Sequence, residues 1–199
     1  MRFWNVVGLA VLLQTGCATQ AERLPALSDT PTTVSMARAI AVITGERSRK
    51  FPPAIRSLEL LNRDTNERFL VQTESDDSRF MVSLPPGEYE LNRVQITEGP
   101  FMSMAQLHAR FSIRDAPITY LGTWRFGIDS PKYGRMVAVS IVEDADERAE
   151  AIHALEHTYP EMTDASVSTA LPEPSEQQVR LYEVAPYPRV PRYFRRHWW

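Results

Sequence analysis

From Met36 to Glu143 the sequence is a series of short segments in which apolar and polar residues alternate, with turn residues between them. Successive side chains of a β-strand point to opposite faces of a sheet, so a period of two indicates half-buried strands. Many short strands at close spacing are typical of a sandwich or a barrel. Strands are predicted near 36–44, 55–62, 68–73, 79–84, 88–97, 106–114, 118–128 and 135–143. The sequence therefore predicts a mostly β domain over 36–143.

The clearest alternation lies between Ile118 and Ile128, and it predicts one strongly apolar face that packs in the core. The residues of that face are Ile118, Tyr120, Gly122, Trp124, Phe126 and Ile128. The strand from Glu88 changes phase, because Tyr89 and Leu91 share one face whereas Val94 and Ile96 share the other. Such a change of phase predicts a β-bulge.

A Pro-Pro-Gly corner at 85–87 separates two of these strands, and Tyr89 follows it directly. Proline fixes φ near −65° and glycine accepts positive φ, so the chain can cross from one sheet to the other here. A tyrosine just past such a crossing can donate a hydrogen bond back to the turn, as tyrosine corners do in sandwiches.

This stretch resembles the carboxypeptidase-regulatory-like, or transthyretin-like, β-sandwich domains. The run Tyr120-Leu121-Gly122-Thr123-Trp124 and a helix closed by Tyr159-Pro160-Glu161 are similar to a group of uncharacterised bacterial lipoproteins with such a domain. The resemblance implies an Ig-like or transthyretin-like antiparallel β-sandwich with one C-terminal helix and an extended tail. It carries almost no information on activity, because a fold does not imply a function.

The N-terminal residues have the order of a bacterial lipoprotein signal. Arg2 precedes the apolar run Val6–Leu13, and Thr15 and Gly16 lead into Cys17, the single cysteine. Gln14 stands where the motif usually has leucine. The prediction is a signal peptide over 1–16, lipid attachment at Cys17 and a polar, proline-containing tether over 17–35. The alternative is an ordinary secretory signal followed by a chance cysteine.

A helix is predicted over 144–160 and is expected to pack on the sandwich. Asp144 can cap its start with Glu147 three residues later, and Pro160 ends it. The apolar side is predicted to consist of Ala145, Ala149, Ile152, Leu155 and Tyr159.

The same helix contains His153-Ala154-Leu155-Glu156-His157, which matches the His-x-x-Glu-His signature of inverted zinc metallopeptidases. Two histidines four apart on a helix can bind one zinc, and the glutamate can act as the base. Against this, both histidines lie opposite the predicted apolar side, and few residues follow to supply a third ligand. Adventitious metal binding and a plain solvated helix face remain as alternatives. His108 alternates with apolar neighbours and is expected to be an outward-facing surface residue.

Residues 161–199 are predicted to form a linker, a possible edge strand near 179–184 and a basic, aromatic tail. The residues of the tail that are candidates for partner or membrane contact are Arg189, Arg192, Tyr193, Arg195, Arg196, Trp198 and Trp199. Guanidinium groups beside aromatic rings suit anionic or sugar-rich surfaces. The alternative is that the tail docks on the acidic cluster of Glu143, Asp144, Asp146, Glu147 and Glu150.

The net charge of −3 does not indicate nucleic acid as a partner. We expect a membrane-anchored, exported lipoprotein that acts as a non-enzymatic binding or assembly module of the cell envelope. The resemblance to bacterial lipoproteins implies a place in the outer membrane, facing the periplasm, because aspartate after the cysteine tends to retain such proteins in the inner membrane and Ala18 follows Cys17 here. The expected partners are the membrane, through lipidated Cys17, and an envelope protein or an anionic lipid or glycolipid, with no cofactor. The alternative is a zinc-dependent hydrolase of envelope material that uses His153, Glu156 and His157.

Overall fold

The computed structural model describes residues 33–46, 49–73, 78–114, 116–130 and 134–184. In these residues the chain forms two β-sheets packed face to face and one α-helix outside the first sheet. The predicted fold class, a mostly β sandwich with a C-terminal helix, is confirmed.

Within the described residues, the first sheet has six strands and the second has five. The first sheet consists of β1 (Thr33–Ile43), β4 (Arg79–Leu84), β7 (Ile118–Asp129), β8 (Met136–Val142), β9 (Val167–Thr169) and β10 (Glu176–Arg180). The second consists of β2 (Ala54–Asn62), β3 (Arg68–Gln72), β5 (Gly87–Glu98), β6 (Phe101–Ile113) and β11 (Tyr182–Val184).

The strand order is β10-β8-β7-β1-β4 in the first sheet, with β9 beside β7, and β11-β6-β5-β2-β3 in the second. Most neighbours are antiparallel, but β7 runs parallel to both β1 and β9, so the first sheet is mixed. Strand β1 begins at Thr33, within the predicted tether and two positions before its predicted end at residue 35.

Five aromatic rings join the two sheets through the core. Phe69, Tyr89 and Phe111 come from the second sheet, and the Tyr89 and Phe111 rings stack 5.7 Å apart. Phe111 reaches Trp124 of the first sheet at 6.4 Å, and Phe80 meets Trp124 edge-on at 5.4 Å. Buried aromatic side chains remove about 150–250 Å² each from water, so this chain of rings is a major source of cohesion between the sheets.

The Pro-Pro-Gly corner is where the chain leaves the first sheet for the second. β4 ends at Leu84 in one sheet, and β5 begins at Gly87 in the other. The Tyr89 hydroxyl donates to the Pro85 carbonyl oxygen at 2.8 Å, as predicted from the sequence. Burial raises the pKa of Tyr89 to about 12.

The prediction of one continuous apolar face along β7 is wrong. Ile118 and Tyr120 lie on the outer face beneath the helix, whereas Trp124, Phe126 and Ile128 lie between the sheets. The pairing with β1 slips by one residue next to Gly122, whose φ is +89°. This bulge exchanges the two faces of the strand, so one alternating pattern supplies two separate apolar clusters.

The bulge predicted in β5 is confirmed. The register of β5 shifts against β6 between Leu91 and Arg93, and it shifts against β2 at the same place. As a result Tyr89 and Leu91 before the shift and Val94 and Ile96 after it all face the core.

The helix α1 spans Ala145–Thr158 and begins as predicted, because the Asp144 side chain accepts hydrogen bonds from the backbone N–H groups of Asp146 and Glu147. Pro160 starts a short 3₁₀ turn, Pro160–Met162. The predicted apolar side needs correction: Ala151 and Leu155 are buried and Ile152 and Tyr159 pack beside them. Ala145 and Ala149 are exposed.

Ion pairs, rather than apolar contacts, hold the first half of the helix against the first sheet. Glu147 pairs with Arg38 of β1, and Glu150 pairs with Arg79 of β4. The helix therefore packs on the sandwich as predicted. Its first half is held by ion pairs and its second half by apolar contacts.

The segment interpreted as a linker contains β9 and most of β10, which corrects that interpretation. The predicted edge strand is two strands: β10 pairs with β8 in the first sheet, and β11 pairs with β6 in the second. Leu181 lies buried at the crossing between them. This segment thus joins the two sheets along one side.

Candidate functional site

The zinc-like signature lies on the solvent side of α1. His153 and His157 are exposed and Glu156 is half-buried, as the angular placement predicts. Among the described residues, no three histidine, cysteine, aspartate or glutamate side chains are grouped so as to hold a metal ion. These three residues therefore share one helix face and receive no further ligand from the described part of the sandwich.

The outer face of the second sheet carries a buried carboxylate beneath basic side chains. Glu90 of β5 is only 4% exposed, and its oxygens lie 3.2 Å from Arg63 Nη1 and 3.5 Å from Arg110 Nε. His108 Nδ1 contacts Glu90 Oε1 at 2.8 Å. Since the His108 side chain is 62% exposed, it is a surface residue as predicted, but its ring is held by a buried acid.

Glu59 of β2 repeats this arrangement on the same face. Its carboxylate accepts a hydrogen bond from Asn92 Nδ2 at 2.7 Å and lies 3.5 Å from both Arg68 Nη1 and Arg93 Nη1. In both clusters the carboxylate is shielded and the basic groups face water. α1 packs on the first sheet, so no described helix covers this face.

Sequence reasoning missed these two clusters. Glu90 lies opposite Arg110, and Glu59 lies opposite Arg93, as cross-strand pairs. In the sequence, the only indication of these clusters is that charged residues occupy outward positions of the predicted strands. Pairing them required the register, which the bulges in β5 alter.

A groove of about 670 Å³ opens where β6 and β9 end, between the two sheets. Arg110, Arg114, Ser112, Ser168 and Thr169 supply guanidinium and hydroxyl groups to its lining. The carboxylates in the lining are Glu88 and Glu173, and the buried Phe111 forms part of its apolar surface.

Backbone hydrogen bonds fix the walls of this groove. Arg110 and Glu173 exchange two of them, at 2.6 Å and 2.7 Å, which ties the segment after β9 to β6. The Ser168 hydroxyl contacts the Thr119 hydroxyl at 3.1 Å, and the Ser112 hydroxyl donates to Glu88. The groove is thus preformed rather than assembled from free loops.

A second groove, of about 610 Å³, lies between β1 and β2 and has a different lining. Small and apolar residues such as Ala39, Ala41 and Ile55 dominate it, and Arg56 is its one basic residue among those the structure describes. Its chemistry offers few groups for recognising a polar ligand.

The acidic cluster proposed as a dock for the tail is already engaged in part. Glu147 and Glu150 pair with Arg38 and Arg79, and Asp144 lies 3.8 Å from Arg125. These contacts within the described domain compete with any docking of the tail arginines.

The predicted lipid site and the tail lie outside the described residues. They comprise Cys17, Arg189, Arg192, Tyr193, Arg195, Arg196, Trp198 and Trp199. In the described part of the chain, no helix has the length and apolar character to cross a bilayer. No family model, curated protein or solved structure matches this chain.

Proposed function

We propose that this protein is a lipid-anchored, exported protein of the bacterial cell envelope, whose sandwich acts as a non-enzymatic binding or assembly module. The observation that carries the proposal is the order of Arg2, the apolar run Val6–Leu13, Gly16 and Cys17 just before the β-domain. This order is that of a signal peptide followed by an acylated cysteine. The resemblance to exported lipoproteins with a transthyretin-like domain points the same way.

Chain length supports the proposal, because it keeps the domain near the membrane. Cys17 precedes Thr33, the first residue of β1, by 16 positions. At about 3.3–3.6 Å per residue the connection reaches at most about 50–60 Å. Each buried methylene of an acyl chain contributes about 0.8 kcal/mol, so several chains on one cysteine give a durable anchor.

The open surfaces of the domain support a binding role. The face of the second sheet presents Arg63, Arg68, Arg93, Arg110 and His108 to solvent, over the shielded carboxylates. A binding module needs such ordered, outward polar groups on a rigid scaffold. The partners we propose are the membrane and an envelope protein or an anionic lipid or glycolipid.

The anchor is tested by comparing the full chain with its Cys17→Ser variant in a bacterial host that processes lipoproteins. We expect the parent chain to enter the membrane fraction and to incorporate a labelled fatty acid. We expect the variant to lose the label and to be released, with an unchanged unfolding midpoint, because Cys17 precedes the first described strand by 16 positions. A parent chain without label, or a variant that keeps it, would contradict the proposal.

The tail is tested by ending the chain after Val184, the last residue of β11. We expect the shortened chain to unfold as cooperatively as the parent, because every described strand remains. We expect weaker association with anionic vesicles, and added salt should weaken the parent's binding in the same way. Loss of cooperative unfolding would show instead that the tail serves the fold.

A further inference from the structure

Arg114 supplies a cation to the groove between β6 and β9. Arg114 lies exposed at the end of β6, and within the described residues its guanidinium has no hydrogen-bond or ion-pair partner. Arg110 on the same wall contacts Glu90 through Nε at 3.5 Å, which engages one of its guanidinium nitrogens. Arginine guanidinium groups bind phosphate oxygens in a planar, two-pronged geometry.

Three hydroxyls lie in the lining of the same groove, those of Ser112, Ser168 and Thr169. Within the domain they donate to Glu88, to the Ile118 carbonyl oxygen and to Glu143, so their oxygens remain as acceptors for the hydroxyl groups of a ligand. Glu173, whose backbone is paired to Arg110, adds a carboxylate to the exposed rim. Carboxylates accept hydrogen bonds, so they suit the hydroxyls of a sugar and oppose a bare anion.

The charges of the groove decide which kind of ligand fits. Arg110 and Arg114 are balanced by Glu88 and Glu173, so a highly charged anion gains little from the site as a whole. A ligand with a phosphate at Arg114 and a hydroxylated body toward the carboxylates satisfies both kinds of group. The volume of about 670 Å³ lies within the range of about 300–1,000 Å³ for small-molecule sites.

The groove also lies next to the start of β1. The Thr33 hydroxyl donates to the Arg114 carbonyl oxygen at 3.1 Å, and the Val34 N–H donates to the Pro117 oxygen at 3.0 Å. If Cys17 is the anchor, its short connection leads to this end of the sandwich, and headgroups of the membrane come within reach.

We propose that this groove is a binding site for a phosphorylated sugar, a chemistry that glycolipid headgroups and soluble sugar phosphates share. The choice of a headgroup as the source rests on the proposed lipid anchor. The recognition chemistry itself rests only on the groove.

The test uses the chain from residue 17 onward with Cys17→Ser, titrated with glucose 1-phosphate, glucose and inorganic phosphate and followed by calorimetry. We expect glucose 1-phosphate to bind at least tenfold more tightly than either of the other two. Arg114→Gln should weaken this binding at least tenfold. Arg56→Gln, which removes an arginine from the other groove, should leave it unchanged.

Glu173→Ala separates sugar recognition from simple charge attraction. Removing a carboxylate makes the groove more positive, so pure attraction predicts tighter binding of glucose 1-phosphate. Our proposal predicts weaker binding, because an acceptor for the sugar hydroxyls is lost. The proposal would be overturned if glucose 1-phosphate showed no saturable binding, or if inorganic phosphate bound equally tightly. It would also be overturned if Glu173→Ala bound glucose 1-phosphate more tightly, or if Arg114→Gln and Arg56→Gln lost equal affinity.

Vesicles distinguish the two sources of the sugar phosphate. Neutral vesicles that carry a phosphorylated glycolipid are compared with vesicles that carry phosphatidylglycerol at equal charge. If the protein prefers the glycolipid vesicles and Arg114→Gln abolishes this preference, the ligand is a glycolipid headgroup. If the protein binds only free glucose 1-phosphate, the ligand is a soluble sugar phosphate. The chain in this test is not acylated, so its result is independent of the lipid anchor. If the sugar phosphate does not bind, the proposal of an anchor at Cys17 is unaffected. If Cys17 is not acylated in the host, the binding result is unaffected.

Discussion

At the scale of single residues, one buried ion pair closes the end of the sandwich at the β5–β6 hairpin. Glu98 is 3% exposed and pairs with Arg135, and Arg49 lies 3.8 Å from the same carboxylate. Arg135 also donates to the Ser103 hydroxyl at 2.9 Å. The pair therefore connects the hairpin of the second sheet to the strand connection before β8 in the first.

Glu98→Gln should lower the free energy of unfolding by about 3 kcal/mol, because it leaves the Arg135 guanidinium buried without its counter-charge. Chemical denaturation followed by tryptophan fluorescence measures this. Glu183→Gln is the matched control: Glu183 is 56% exposed and pairs with Arg49 at 2.7 Å, so its loss should cost less than about 1 kcal/mol. Equal costs for the two variants would contradict the role assigned to Glu98.

Tyr89→Phe should cost about 1 kcal/mol at neutral pH, since the hydrogen bond to Pro85 is lost. The pKa of Tyr89 is raised to about 12 from an ordinary value of 10.0. The neutral hydroxyl is the form that the fold favours, so this stabilisation is complete below pH 10 and disappears as pH rises toward 12. Unfolding measured from pH 8 to 12 should show the difference between parent and variant narrowing above pH 10. A difference independent of pH would contradict this.

The contacts of Tyr89 and Glu98 differ in how well the sequence predicts them. The Tyr89 hydrogen bond spans four positions and follows from a local Pro-Pro-Gly-x-Tyr pattern. Glu98 and Arg135 are 37 positions apart; Glu98 ends β5 of the second sheet, and Arg135 lies just before β8 of the first. Their contact depends on which strands become neighbours, and no local pattern supplies that.

At the scale of elements, the sequence predicts strand β7 correctly but not which of its residues face the core. The alternation predicted the strand itself, but the exchange of faces at Gly122 depends on the pairing with β1. The helix α1 shows the same limit: its cap is local and was predicted, whereas its buried side depends on Arg38 and Arg79 beneath it.

Gly122→Ala should destabilise the protein by about 2 kcal/mol or more, because φ of +89° is strained for a residue with a side chain. A Cβ atom would also lie 2.8 Å from Leu171 Cδ2 and 2.9 Å from the Val142 oxygen. Thermal unfolding followed by near-ultraviolet circular dichroism, to which the buried Trp124 contributes, measures the change.

Gly134→Ala is the control for Gly122→Ala. Gly134 also has a positive φ, of +132°, but the nearest atom to an added Cβ is at 3.6 Å. It should therefore cost less than Gly122→Ala. If the two variants lost equal stability, the close packing at the β7 bulge would not be the cause.

At the scale of the whole molecule, periodicity predicts a mostly β domain, a sandwich or a barrel, followed by a helix, and the Pro-Pro-Gly corner with Tyr89 and the family resemblance favour the sandwich. Periodicity did not predict β9 or residues 176–178 of β10, because these segments are short, consist mostly of Ser, Thr, Glu and Gln and carry little hydrophobic period. The groove proposed as a binding site is bounded by this segment and by β6. It became visible only once both sheets were in place.

The central claim is that this domain is held at a membrane through an acylated Cys17. The most direct test is mass spectrometry of the N-terminal peptide from protein extracted from the membrane fraction of its bacterial host. We predict that Cys17 is the first residue and that its sulfur carries a diacylglycerol group. A free Cys17 thiol, with residues 1–16 still attached or with cleavage at another position, would contradict the account.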